Sequence, residues 1–363
     1  MKIIIYCQWG GRRMKSFSFP LLVILICAQF FTTSCDKNDK TMSMIVEGAR
    51  VINNDYSVTT GAPHLRRLFP YQDNGGLIGA VAIHDIGDDC AVLHMMSGDY
   101  CFTWLNLKNG ETRGLIRRGR GPDEMLDAGF SGYRINDKGD TEMIVYSIMK
   151  AEAVIINLSQ SLSEERTVVL SRQKMPRETM YVLADASNLF CYSFGENRTV
   201  GWSVIDEDGE SEVIQPFGNN GQVNDPYKFF AAPSVSPDGR FLVMGMVSFP
   251  RIFIFDRKGE TYAVSLDEKT DAQIVAELND KGTNMEDCCL WTEIKDNSIF
   301  CLVPNNETAK TGSPREWMLI FDMHGKLQSK TSIPDPLSSF MVLPDGRSIL
   351  GITMDGQIIK YVL

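Results

Sequence analysis

Several common catalytic and anchoring patterns are missing from this 363-residue sequence. Histidine is scarce. The four present, His64, His84, His94 and His324, never form His-Glu-x-x-His, the spacing that sets two imidazoles on one helix face for zinc. Gly201-Trp202-Ser203-Val204 runs into Ile205, so the Gly-x-Ser-x-Gly nucleophile elbow fails. Gly119 and Gly121 are not followed by Gly-Lys-Ser/Thr, which excludes a P-loop. No Cys-x-x-Cys pair occurs, and there is no block of one charge and no low-complexity tract. The apolar run Phe17 to Phe31 covers 15 residues, short of the roughly 20 that a membrane-spanning helix needs. Basic residues are outnumbered 36 to 46, for a net charge of −10. That excludes non-specific binding to nucleic acid, whose phosphates demand a basic surface.

What the chain does have is repetition. From Phe229 to Leu266 four apolar runs are separated by three turn signals: Pro237-Asp238-Gly239-Arg240, Ser248-Phe249-Pro250 and Arg257-Lys258-Gly259. Asp and Gly supply turn geometry that other residues resist, so the stretch reads as an antiparallel four-stranded meander. The pattern recurs. Turn residues Gly87, Gly139, Asn188, Gly239, Asn297 and Gly346 each precede an apolar run, at spacings of 52, 49, 51, 58 and 49. A second marker, Asp-x-x-Gly-Glu/Lys, begins at Asp206, Asp256 and Asp322.

Six meanders of this length predict an all-β fold, a six-bladed β-propeller of four-stranded antiparallel blades. One such sheet cannot bury both faces alone; stacked radially, each is covered by its neighbours. Strands such as Phe241–Met246 are accordingly apolar throughout instead of alternating. The sixth unit stops at Leu363, after its third strand, so an N-terminal strand is expected to close the ring, with the Ile45–Thr60 region as candidate. A chain of this length is often two domains; the ring takes residues 45–363 as one. The one helix expected lies within Asp267–Gly282, where Ile274, Val275 and Leu278 share a face and Thr270 or Asp271 is placed to cap. It is expected to pack over one face of the ring.

The start of the chain reads as a targeting segment. Lys15 precedes the apolar run and small polar residues follow it, which is signal-peptide anatomy over residues 1–34. Met14 is a more natural start than Met1, making residues 1–13 a mis-assigned extension. Thr32-Thr33-Ser34-Cys35 is similar to a bacterial lipobox, although Thr32 stands where an aliphatic residue is usual. This implies a lipid on Cys35, and hence a membrane as a partner, with residues 35–44 as a polar tether. Without residues 1–34, 32 basic residues face 46 acidic ones, a net charge of −14.

Six cysteines remain after Cys7, Cys27 and Cys35. Cys90, Cys191 and Cys301 fall at similar places in their units, as small buried hydrophobes would, not as a metal set. An exported protein can form disulfides, and the spacing fixes no pairing. No metal site and no cofactor are expected.

Two Gly-rich loops join units: Arg117-Arg118-Gly119-Arg120-Gly121-Pro122-Asp123-Glu124-Met125, and Phe217–Gln222 with Asn224-Asp225-Pro226. Gly-x-Gly-Pro-x-Glu ahead of an inner strand, six units and a lipobox together resemble the TolB-like six-bladed propeller lipoproteins of Gram-negative bacteria, related in pattern to NHL-repeat propellers. The resemblance covers residues 45–363, with Met125 where that family has Phe. It implies an envelope lipoprotein on the outer membrane and no defined activity.

In a propeller, connections between blades emerge on the same face as those between second and third strands. Here these are the long ones, and the turns on the opposite face are tight. Long ordered loops on a rigid scaffold usually carry function. The expected contacts for a protein, peptide or glycan ligand are Arg117, Arg118, Arg120, Arg177, Tyr227, Lys228 and Arg315, Tyr and Arg being common anchors. The arginines of the first loop suit an anion; against that, they read as solvated side chains paired with Asp123 and Glu124. His84 and His94 belong to neighbouring strands of the first unit, where one of them has the alternative of facing the central channel; the expected role is that of a satisfied structural histidine. No sialidase-type Ser-x-Asp-x-Gly-x-Thr-Trp box is present. The expectation is therefore a binding or scaffolding module and not an enzyme, with no catalytic residue. The alternative is a metal-dependent hydrolase or lyase using Asn224, Asp225, Glu286 and Asp287 at the channel mouth.

Overall fold

The computed structural model describes residues 41–57, 64–66, 79–87, 89–176, 178–194, 200–206, 211–214, 226–280, 287–305 and 316–363. Two strands come first, β1 (Arg50–Asn53) and β2 (His64–Arg66). Blade 1 is β3 (Ala80–Asp85), β4 (Cys90–Met95), β5 (Tyr100–Asn106) and β6 (Thr112–Arg117). Blade 2 is β7 (Gly129–Ile135), β8 (Thr141–Ser147), β9 (Glu152–Asn157) and β10 (Val169–Lys174). Blade 3 is β11 (Thr179–Ala184), β12 (Leu189–Phe194), β13 (Val200–Ile205) and β14 (Ser211–Ile214). Blade 4 is β15 (Ala231–Val235), β16 (Phe241–Met246), β17 (Arg251–Asp256) and β18 (Thr261–Ser265). Blade 5 is β19 (Trp291–Lys295), β20 (Ser298–Pro304), β21 (Glu316–Asp322) and β22 (Leu327–Ile333). Blade 6 is β23 (Leu337–Val342), β24 (Ser348–Thr353) and β25 (Ile358–Val362).

The ring is a six-bladed β-propeller. Each blade is an antiparallel sheet in chain order, and the buried side chains divide into six clusters, one per junction between neighbouring blades. Phe190, Trp202, Leu242 and Phe253 pack blade 3 on blade 4. Ile83, Leu93, Met341 and Leu350 pack blade 6 on blade 1, which closes the circle. All six residues of β16 are buried, as its unbroken apolar sequence predicts.

Ring closure comes from the N-terminal side, but from a later residue than expected. β2 pairs antiparallel with β25, His64 opposite Val362 and Leu65 opposite Tyr361, and supplies the missing outer strand of blade 6. The Ile45–Thr60 region has a different task. β1 runs parallel to β18, Arg50 opposite Tyr262, and makes blade 4 five-stranded. Parallel pairing was not legible because it follows no hairpin. Upstream of β1, Ile45, Val46 and Ala49 are buried in the cluster between blades 3 and 4. Downstream, Asn54 bridges to blade 5, donating to the Gly325 carbonyl at 2.9 Å and accepting from the Leu327 amide at 2.9 Å.

The expected helix is α2 (Asp271–Asn279). Thr270 and Gln273 form a reciprocal capping box, and Ile274 and Leu278 are buried. A shorter helix, α1 (Leu158–Glu164), was not expected. Asn157 caps it by accepting from the Gln160 amide at 2.8 Å, but seven residues give too little periodicity to read. It joins third to fourth strand in blade 2, so the connections on that face are not uniformly tight. Among the described residues, no helix is long and apolar enough to cross a membrane.

Marker residues explain themselves at the turns. Asp256 accepts from the Lys258 amide at 2.9 Å and takes a two-pronged contact from Arg240 at 2.9 and 2.7 Å, tying two hairpin turns of blade 4 together. Asp322 accepts from the His324 and Lys326 amides, each at 2.9 Å.

Candidate functional site

The first strand of each blade lines the central channel, and these inner strands are stitched by side chains. Thr292 Oγ1 donates to the Ala232 carbonyl at 2.7 Å, and Ser234 Oγ accepts from the Ile294 amide at 3.2 Å, joining blades 4 and 5. Ser339 Oγ accepts from the Ile83 amide at 3.0 Å, joining blades 6 and 1. Blades 2 and 3 approach through Gly132, whose φ is +150° and where a Cβ would meet the Ala184 carbonyl oxygen at 2.8 Å; only glycine fits there.

Inside lies a cavity of about 710 Å³ walled by the inner strands of blades 1 to 5. Its lining is mostly apolar and aromatic, with Phe130, Tyr133, Tyr181 and Trp291 prominent. Ile148, 54% exposed, lines it on the side of the long connections. At the other end Lys295 of blade 5 reaches past blade 6 to Asp85 of blade 1, Nζ to Oδ2 at 2.8 Å. Burial lowers the affinity of Lys295 for its proton, but the Asp85 carboxylate outweighs it and the pKa is raised.

Polar side chains also face this space, among them His84, His94 and Glu293 besides the Asp85–Lys295 pair. His84 stacks on Phe130 at 4.3 Å between ring centroids and meets Trp291 at 5.5 Å. Among the described residues its ring nitrogens have no hydrogen-bond partner. Burial, and then the neighbouring His94, push its pKa down to about 3, so the imidazole is neutral. His94 on β4 also lines the cavity, and its pKa is lowered by burial and by Arg118. Glu293 on β19 accepts from the Val342 amide at 3.0 Å. Burial raises its pKa to about 8; Asp85 adds to the rise, while the Val342 bond and Lys295 oppose it. Near neutral pH this carboxyl carries its proton. The cavity thus offers a neutral imidazole and a carboxyl O–H among aromatic rings.

Both histidines line the channel, where the sequence offered that place to one of them, and His84 differs from the expected structural histidine in having no hydrogen-bond partner among the described residues. The signal was present in β19, Trp-Thr-Glu-Ile-Lys, where exposure alternates: Trp291, Glu293 and Lys295 face the channel at period two.

The residues expected to bind lie elsewhere. None of the described ones, Arg117, Arg118, Arg120, Tyr227 and Lys228, lines the cavity. Arg117 and Arg120 are exposed, and among the described residues neither makes an ion pair. Arg118 turns inward, donating to the Met95 carbonyl at 2.6 Å and the Leu126 carbonyl at 3.3 Å. The loop is shaped by Glu124, which accepts from the Gly121 amide at 2.8 Å and leaves no room for a side chain on Gly119, where a Cβ would meet Glu124 Oε2 at 2.0 Å. Asp123 faces Arg172 at 3.7 Å, not the loop arginines. Lys228 Nζ donates to the Leu278 and Asp280 carbonyls at 2.9 and 3.0 Å, closing the C-terminus of α2. Tyr227 is 61% exposed beside Phe194 and Phe230. Arg177, Arg315 and Cys35 lie outside the described residues, as do Asn224, Asp225 and Glu286 of the metal-dependent alternative. Among the described residues, no three His, Cys, Asp or Glu side chains are placed to hold a metal ion.

No protein-family model matches this sequence, and comparison with curated proteins finds no match. Solved structures are similar in fold. A member of the DUF4221 family from Bacteroides vulgatus has a TM-score of 0.54 at 10% identity, over 83% of this chain and 98% of that one. A luciferin-regenerating enzyme has 0.49 at 10% identity, over 83% and 95%. A streptogramin B lyase has 0.46 at 12% identity, over 82% and 97%. At these identities the likeness is one of fold. The expectation that this chain is not an enzyme does not stand. It rested on absent motifs, and an absent motif excludes no activity.

Proposed function

We propose that this chain is a cell-envelope lipoprotein, anchored through Cys35 and of the TolB-like propeller kind, that takes a neutral small molecule with aromatic or apolar bulk into its channel. The cavity carries this reading. Its volume of about 710 Å³ falls within the roughly 300–1,000 Å³ usual for small-molecule sites, and its apolar walls with a few convergent polar groups are the usual lining. Neutral His84 and protonated Glu293 disfavour a charged guest at that point and favour one bearing a hydrogen-bond acceptor. The Gly119-x-Gly121-Pro122-x-Glu124 loop and the lipobox-like Thr32–Cys35 support the family and the anchor.

Titration of the full chain with Nile red, a neutral apolar dye, tests the binding reading. Saturable binding with a change in tryptophan emission is expected. Ala232→Trp, which partly fills the cavity, is expected to weaken it while the circular dichroism spectrum stays unchanged. Absence of saturable binding, or binding indifferent to the filling variant, overturns the reading.

A second reading has its own observation. A carboxyl with a pKa near 8 gives and takes protons efficiently at neutral pH, so proton transfer on the bound molecule is open to Glu293. Product analysis on a bound compound, with Glu293→Gln as control, separates turnover from binding.

A further inference from the structure

Cys289 lies just before β19, and Cys301 is the central residue of β20. Their sulfurs are 3.2 Å apart, and both residues are fully buried. The backbone fixes this meeting. The Leu290 amide donates to the Leu302 carbonyl at 2.9 Å, and Trp291 faces Leu302 while Thr292 faces Cys301 in the ladder. The two segments are therefore hydrogen-bonded neighbours, and although Cys301 faces Thr292 in the ladder, the side chain of Cys289 brings its sulfur within about 1.2 Å of the roughly 2.05 Å of a disulfide bond. Blade 4 presses on the pair from behind: a Cβ on Gly245 would meet Cys289 Sγ at 2.2 Å. Other thiols are differently engaged. Cys191 Sγ meets Met175 Sδ at 3.4 Å, and Cys101 Sγ donates to the Met125 carbonyl at 3.4 Å.

We propose that Cys289 and Cys301 are joined by a disulfide in the exported protein. That the protein is exported rests on the proposed function; the pairing itself rests on the geometry. Closing the bond draws the sulfurs together by about 1 Å, to roughly 2.05 Å. In the reaction one cysteine thiolate attacks a small-molecule disulfide and expels a thiolate. The second cysteine thiolate then attacks the mixed disulfide and expels the other. Two protein thiols lose two protons and two electrons, and one oxidant disulfide becomes two thiols. Burial raises the pKa of the Cys301 thiol well above its ordinary value, which makes the thiolate scarce once blade 5 is packed. The bond therefore closes as the blade forms. Its effect is local to the cavity, since Leu290 and Trp291 line that space and the link pins their segment to β20.

The test uses the full chain, unfolded and reduced, then refolded into a glutathione redox buffer. Free thiols are alkylated in denaturant and the peptides mapped. The expected product is a linked Cys289–Cys301 peptide pair, with Cys90, Cys101, Cys191 and Cys288 alkylated. Alkylation of both Cys289 and Cys301, or a link from Cys301 to Cys288, overturns the proposal. Cys288→Ala is expected to leave the link intact, and its loss in that variant is equally fatal. The same map on protein recovered from the envelope, with alkylating agent present at lysis, reports the state in the cell. Free Cys289 and Cys301 there overturn the proposal. Recovery from the cytosol overturns the export reading instead, and the glutathione map then decides the pairing.

Discussion

Asp271 at the start of α2 joins two parts of the chain that are far apart in sequence. Its Oδ1 accepts from Arg251 Nε at 2.9 Å and its Oδ2 from Ser43 Oγ at 2.5 Å. The Met44 amide adds a third bond at 2.9 Å. Arg251 is 1% exposed, and donates its remaining N–H groups to the Pro250 and Lys269 carbonyls. The carboxylate therefore neutralises a buried cation and also holds the first described segment against blade 4. Residues 43 and 44, expected to be tether, belong to the folded body.

Replacing Asp271 by Ala removes the close partner of the buried Arg251 charge and leaves it only the more distant Asp267, at 3.8 Å. A loss of about 3–5 kcal/mol is expected from urea unfolding. Asp271→Asn keeps one acceptor and should lose less. Limited proteolysis is expected to cut near Ser43 faster in both variants, and an unchanged cleavage rate would count against the clamp.

The Asp85–Lys295 pair fastens one end of the channel across blade 6. Lys295→Met is expected to cost about 1–2 kcal/mol, because both partners are more than three-quarters shielded. Asp85→Asn combined with Lys295→Met should show a coupling of about 1 kcal/mol in a double-mutant cycle. Additive effects would mean that the pair is incidental.

The repeat was legible because turn chemistry is local. Asp238, Gly239, Asp256 and Gly325 each serve a turn whose geometry is set within four residues. The registers of the blades follow from those turns. The strands β1 and β2 were harder to place, since their partners, β18 and β25, lie some 200 and 300 residues away and no hairpin announces them. The candidate site was less legible than the fold. Glu293 and His84 become special only when five inner strands converge and exclude water, and neither residue carries that in its neighbours along the chain. Arg117 and Arg120 drew attention by charge and loop composition, which report exposure well and convergence poorly. Lys228 looked like a binding anchor because the sequence does not show that the end of α2 lies beside it.

Cys35→Ala tests the anchor. Metabolic labelling with a fatty acid is expected to mark the wild-type protein and not the variant, and the variant should leave the membrane fraction. Stable anchoring by lipid takes more than one chain, so partial retention is not expected. Membrane retention of an unlabelled wild-type protein would remove the lipid from the proposed function and leave the cavity reading untouched.

The pH dependence of stability follows from Glu293. The folded protein holds this proton up to about pH 8, whereas an unfolded glutamate releases it near 4.5. Below the lower value both states are protonated and nothing is lost. Across the window the unfolded state sheds a proton that the folded state keeps, so stability falls as pH rises, and above about 8 the loss is complete. Glu316, buried and raised to about 7, acts in the same direction. His84 acts oppositely: with its pKa pushed down to about 3 from 6.5, it costs stability as pH falls through that range. Glu293→Gln keeps an acceptor for the Val342 amide and has no proton to lose. It is expected to match the wild type at pH 4.5 and to exceed it at pH 8.5 by on the order of 2 kcal/mol, less than the full shift implies because cavity water screens the charge. Urea midpoints at the two pH values measure this, and an equal gap at both would dismiss the buried proton. Binding should follow the same group. A guest accepting from the Glu293 carboxyl loses that bond above pH 8, while the side-chain amide of the Glu293→Gln variant still donates, so the variant's affinity is expected to be flat where the wild type's declines.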